Sequence, residues 1–212
     1  FNVRVVGIIQ AIISVIVCIP MFNHPEFYSN PIGGSYDFAG LIASFTIGYF
    51  IWDLFYCCLF HFDLYGFEFL FHAFGALYVF GTTLIPFCQP YLCAFLIYEA
   101  STPFVQFHFM MTRAPKGMFP PWAISLNGVF LILVFFVVRI IWGVYATVLS
   151  ICHVWAMRHE YNMGLLLSVY ILNVGFQFLN FTWFSKMITM ATRMLRPAAD
   201  AANADNKAKK ID

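Results

Sequence analysis

Charge is scarce in this chain. Only 10% of its 212 residues are Asp, Glu, Lys or Arg, against about 25% in an ordinary soluble domain. The motifs that carry the commoner chemistries are missing too. The six cysteines form no CxxC pair, and no histidine pair has HxxxH or HExxH spacing, so a metal centre is not expected. A glycine-rich phosphate loop, a GxSxG elbow and a basic patch fit for nucleic acid are likewise absent. The first residues lack the charged start, short apolar core and small-residue cleavage site of a secretory signal peptide. No solenoid-type repeat or second domain is visible.

What remains is apolar. Hydrophobic residues make up 62% of the chain, Phe alone occurs 27 times, and the mean hydropathy is +0.80. A chain this short cannot hide so much apolar surface inside itself, so lipid must solvate part of it. The expected fold is all-α: a polytopic transmembrane helical bundle.

A spanning helix needs about 20 predominantly apolar residues, and six segments qualify by eye. They run from Val3 to Phe22, Phe38 to Phe62, Glu68 to just before Pro86, Pro90 to Thr112, Pro121 to Ser150, and Leu165 to Leu195. Between the fifth and sixth, Ile151 to Met163 mixes apolar and charged residues in the manner of a short interfacial helix. Residues 1–196 then form one transmembrane domain, and 197–212 a polar, disordered tail. Six spans put Arg4, Arg113, Lys116, Arg193, Arg196, Lys207, Lys209 and Lys210 on one side, so both termini are expected in the cytosol. Trp122 and Trp155 suit interface anchors. Cys88 and Cys93 flank a loop on the far side; a disulfide there is conceivable, and free thiols are the simpler expectation.

Polar groups inside spans are costly and tend to face the bundle interior. Asp53, His72, Glu99 and Arg139 lie on four successive spans, joined by Thr102, Gln106, Asn127 and others. At about 100° per residue Glu99, Thr102 and Gln106 share a face. Asn173, Gln177 and Asn180 form a stripe at i, i+4 and i+7. Two readings stand side by side. Amides and acids can simply bind helices together, with Asp53 or Glu99 pairing with Arg139 as a strut. Alternatively, Asp53 or Glu99 orients His72 for acid–base work.

Several segments resemble the TLC domain, the membrane module of ceramide synthases and of smaller lipid-related proteins. They are Phe-His-Ala-Phe-Gly-Ala-Leu-Tyr at 71–78, Tyr-Glu-Ala-Ser-Thr-Pro-Phe at 98–104, and Asn127-Gly128 followed by Phe135-Phe136-x-x-Arg139, with Asp53 and the run 4–10 fitting the same pattern. The likeness covers nearly the whole chain and is nearest the smaller, non-synthase branch. It implies an endoplasmic-reticulum-type bundle with an interior cavity open to lipid. The cavity lining it implies is Asp53, His72, Glu99, Thr102, Gln106, Asn127, Arg139, Asn173, Gln177 and Asn180. The function implied is binding of a lipid or acyl chain in the service of membrane lipid homeostasis, with membrane lipids as partners and no resident cofactor. Two alternatives accompany it. One is an acyltransferase with catalytic His72, Asp53 and Glu99 and acyl-CoA as co-substrate. The other is a non-enzymatic trafficking or structural protein. Ala73 stands where the synthases carry a second histidine, so the enzymatic constellation is incomplete.

Overall fold

The computed structural model describes residues 2–85 and 87–208. Helix accounts for 84% of the whole chain and no described residue forms a strand, as a bundle with no water to satisfy exposed backbone requires. The elements follow in order: α1 (Asn2–Cys18), a 3₁₀ turn (Ile19–Asn23), α2 (Glu26–Ser29), α3 (Asp37–Trp52) running into a π-helical stretch (Asp53–Leu59), and α4 (Phe62–Thr82). Next come the 3₁₀ turn Gln89–Tyr91, α5 (Leu92–Leu96), the 3₁₀ turn Ile97–Ser101 and α6 (Thr102–Arg113). The last are α7 (Pro121–Phe135), a second π-helical stretch (Phe136–Ile141), α8 (Trp142–Ala156) and α9 (Met163–Ala208).

Among the described residues, four helical stretches are long and apolar enough to cross a membrane: Val3–Asn23, Asp37–Tyr56, Pro121–Ala156 and Met163–Arg193. The other two expected spans are helical but interrupted. α4 bends at Gly66, whose φ of 73° few side-chain-bearing residues tolerate. Pro86, the expected stop of that span, lies outside the described residues. The fourth segment is broken into short 3₁₀ and α pieces from Gln89 to Arg113.

Two expectations need correction. The separate interfacial helix at Ile151–Met163 does not form: α8 carries on to Ala156, and the polar residues 157–162 make the turn into α9. The last helix is longer than expected, and its backbone stays helical to Ala208. Its final stretch is rich in alanine, the strongest helix former, which offsets the low apolar content. Cys88 and Cys93 are free thiols.

Small residues explain how the helices approach. On α1, Gly7, Ala11, Ser14 and Cys18 recur at i, i+4, i+7 and i+11, and the last three are wholly buried. That face lies against α6 and Ile97–Ser101, while Ile9, Ile12 and Ile16 look outward. α4 and α9 run antiparallel. Their seam holds the Lys186–Glu68 ion pair, a Trp183 Nε1–H bond to Glu68 Oε2 at 2.8 Å, and a 2.7 Å hydrogen bond between the Tyr78 and Ser168 hydroxyls. Between these ties Phe176 fills the space over Gly75, and Phe71 the space over Gly175.

Gly143 is, with Gly75, the most closely approached of the helical glycines. A Cβ there would stand 2.8 Å from the Tyr98 hydroxyl and 2.9 Å from Gln177 Oε1. Gly143→Val therefore overpacks a buried contact and should cost about 1–3 kcal/mol. Thermal unfolding in detergent would register this as a lowered midpoint; an unchanged midpoint would show that the contact can relax.

Candidate functional site

The π-helical stretch Phe136–Ile141 positions the central charge. Such a stretch adds a residue to the turn and leaves backbone groups misaligned with their usual partners. Here the Arg139 carbonyl accepts a hydrogen bond from Gln177 Nε2 at 3.2 Å. The Arg139 side chain turns into the bundle, where it is 6% exposed. Its Nε donates to Ser101 Oγ at 2.9 Å and its Nη1 to Asn180 Oδ1 at 3.3 Å. The rings of Phe135 and Tyr98 flank it at 5.2 and 5.7 Å. Glu99, itself 8% exposed, lies within electrostatic reach of the guanidinium. Burying this cation is tolerable only because each of these groups offsets part of its lost hydration.

These residues close one end of an internal cavity of about 80 Å³. His72, Glu99, Arg139, Asn173 and Asn180 supply polar lining; the rest is mainly apolar, including Val79, Phe80, Leu92, Phe95, Val154 and Leu179. On α9 the lining extends from Val169 to Asn180, roughly 16 Å of helix axis. The lining is thus elongated and mainly apolar, with the charged groups Arg139 and Glu99 toward one end and the neutral polar groups Thr82, Thr83, Tyr91 and Ser150 also on its wall.

His72 presents its ring to this space between Phe50, Phe176 and Trp183, with centroids 5.6–5.8 Å away. Its nitrogens make no hydrogen bond to a described residue. Tyr91, also on the wall, ties the other end of the cavity through a 2.6 Å hydrogen bond between its hydroxyl and His153 Nδ1.

The structure brings together half of the expected lining. Asn173, Gln177 and Asn180 do make one stripe, and it faces Arg139 and α8. Asn173 Oδ1 accepts from Thr147 Oγ1 at 3.0 Å, and its Nδ2 donates to Ser150 Oγ at 3.1 Å. Gln177 lies behind the wall. The other side chains go elsewhere. Asp53 opens the first π-helical stretch and does not border the cavity, so the carboxylate that shares this lining with His72 is Glu99. Thr102 and Gln106 do not join Glu99 on the cavity wall because Ile97–Ser101 is 3₁₀, which turns more per residue than α and breaks the 100° reckoning. Gln106 instead faces α1 and accepts from Arg4 Nη1 at 2.9 Å. Asn127 Nδ2 donates to the Phe104 carbonyl at 3.0 Å, binding α7 to α6.

Ser101, Tyr98, Ser150 and the aromatic wall escaped the sequence reading. Ser101 and Tyr98 flank Glu99 in the Tyr-Glu-Ala-Ser segment, so proximity in sequence was the available signal. Nothing in the sequence announces the π-helical stretch.

A family model of the TLC domain matches residues 1–189. The chain belongs to the TLC domain family. It is 41% identical over 201 residues to the budding yeast (Saccharomyces cerevisiae) protein named topoisomerase I damage affected protein 4, covering 93% of this chain and 71% of that one. An uncharacterized TLC domain-containing protein of Schizosaccharomyces pombe is 30% identical over 91% of this chain and 66% of its own length. TLC domain-containing protein 4-B of zebrafish (Danio rerio) is 29% identical over 66% of this chain and 53% of its own. No solved structure matches. The fold, the apolar helices and the family together make this an integral membrane protein.

Proposed function

We propose that this TLC domain protein holds a lipid or single acyl chain within its bundle and serves membrane lipid homeostasis, with membrane lipids as its partners. The observation that carries this reading is the cavity itself, mainly apolar in its lining and bordered by Arg139, Glu99, His72 and Asn180. Its apolar lining suits hydrocarbon, and the charged end suits a carbonyl, hydroxyl or phosphate attached to a chain; at about 80 Å³ the space takes a whole chain only when the helices around it part. Arg139 can donate to an ester or acid oxygen, and Glu99 or His72 can accept from a hydroxyl or amine. A purely structural role for this polar cluster is less well supported, because among the described residues none hydrogen-bonds His72, whose ring borders the cavity.

The resemblance and the family favour an endoplasmic-reticulum membrane. Arg4 and Arg113 stack on the same Phe109 ring and so share one end of the bundle, which supports a cytosolic face there.

Lipid extracted with the purified protein tests the reading. One or a few species should be enriched over the surrounding membrane, and a profile identical to bulk lipid would overturn it.

Acyl transfer from acyl-CoA is the second reading, favoured by a His72 imidazole that no described residue hydrogen-bonds and that lines the same cavity as Glu99. It has less behind it, because among the described residues no carboxylate is hydrogen-bonded to His72 and no residue of α1 or α6, where Arg4 and Arg113 reside, lines the cavity. Incubation with labelled acyl-CoA and a long-chain amine or lysolipid should give no product under the binding reading. Product that disappears in His72→Ala would replace it with the enzymatic one.

A further inference from the structure

Glu99 and Arg139 are 8% and 6% exposed, yet they do not neutralise one another by contact. Among the described residues the only ion pair is Lys186–Glu68, so the carboxylate and the guanidinium stand apart, coupled through their fields. Both have hydrogen-bonding capacity left over. No described residue donates to the Glu99 carboxylate. Arg139 reaches Ser101 through Nε and Asn180 through Nη1, and its Nη2 has no described acceptor. The Glu99 oxygens and Arg139 Nη2 are not among the unpartnered atoms that the protein encloses, and both residues border the cavity. The same holds for the His72 ring nitrogens.

A buried charge with an unused hydrogen-bonding site is costly, and a ligand that fills that site lowers the cost. The described lining carries one carboxylate and one guanidinium, so their charges balance. A ligand with a net charge upsets that balance where little solvent screens it. A carboxylate or phosphate would satisfy Arg139 and set a second anion against Glu99. An ammonium would satisfy Glu99 and set a second cation against Arg139. An ester accepts but cannot donate, so it leaves Glu99 unserved. A hydroxyl does both, its O–H donating to Glu99 and its oxygen accepting from Arg139.

We infer that Glu99 and Arg139 together select an uncharged lipid whose polar end carries a hydroxyl, such as a mono- or diacylglycerol. Lipids that end in a phosphate, a carboxylate or an amine are rejected. This selection rests on the reading that the cavity holds a lipid chain, and it adds the class of headgroup. Discrimination comes from both sides: the matched headgroup serves two open groups, and each mismatched one meets a like charge. A second hydroxyl on the same headgroup has the His72 imidazole as its partner.

Equilibrium binding of tritiated ligands that share one oleoyl or oleyl chain and differ only in headgroup tests the selection on purified protein. Monooleoylglycerol should bind about ten-fold or more tightly than oleate, oleoyl lysophosphatidate or oleylamine, with methyl oleate between them. Glu99→Gln leaves an uncompensated cation, so oleate and lysophosphatidate should gain about ten-fold or more relative to monooleoylglycerol. Should that variant fail to fold, the lipid class co-purified with the parent decides: hydroxyl-bearing neutral lipid supports the selection and phospholipid overturns it. Oleate or lysophosphatidate binding the parent as tightly as monooleoylglycerol also overturns it, while leaving a chain in the cavity. So does a ranking that Glu99→Gln does not change. A parent that binds none of the ligands removes the chain-binding reading and this selection together.

Discussion

Arg139→Met is expected to cost the protein about 3–5 kcal/mol, because it leaves Glu99 buried without its cation and strips Ser101 and Asn180 of a donor. The loss should appear as a steep fall in the thermal midpoint in detergent, or as protein that does not accumulate. Adding Glu99→Gln should recover a large part of it, since the methionine side chain packs well among Phe135 and Tyr98 and the orphan charge is gone. Arg139→Lys keeps the charge but cannot reproduce the fork that reaches Ser101 and Asn180 together, so it should fall between the two. The comparison separates a strut from a ligand group. If Arg139 serves only to hold the bundle, the Met/Gln double variant retains any bound lipid; if it holds the polar end of a lipid, stability returns and the lipid does not.

Filling the cavity should have the second large effect. Val79 lies on the cavity wall from α4, partly buried, with the polar cluster one turn or more away. Val79→Trp places an indole where the chain is proposed to lie and leaves Arg139, Glu99 and His72 in position. Co-purified lipid should fall ten-fold or more. The variant should also lose the stabilisation that added lipid gives the parent, because a ligand stabilises only the state that binds it, by RT ln(1 + [L]/Kd). Equal lipid content in parent and variant would remove this cavity as the binding site, wherever else lipid might adhere.

How much of this was legible in the sequence depends on the length scale. The membrane bundle was readable from composition, because apolar content and scarce charge are properties of the whole chain. The Asn173, Gln177 and Asn180 stripe was readable because α9 is one continuous helix and 3.6-residue periodicity holds along it. The same arithmetic failed from Glu99 to Gln106, where a 3₁₀ turn passes into α6 and rotates Gln106 toward Arg4. It also could not anticipate the π-helical stretch that aims Arg139 inward, since φ and ψ there are set by packing against α9 and Ser101 and not by local residue preference. Asp53 shows the limit on the other side: its charge within an apolar segment marked it for the interior, yet depth along a helix depends on stagger, and the cavity lies nearer His72 and Glu99.

Photo-crosslinking tests the central claim most directly. A fatty acid bearing a diazirine partway along its chain, incorporated into cellular lipid and activated in the intact membrane, labels whatever surrounds the chain. Peptide mapping should then find label on cavity-wall residues such as Val79, Phe80, Leu92 and Phe176, and that label should vanish in Val79→Trp. Label confined to outward-facing residues such as Phe74 and Phe178, with none on the wall, would contradict a lipid held inside the bundle.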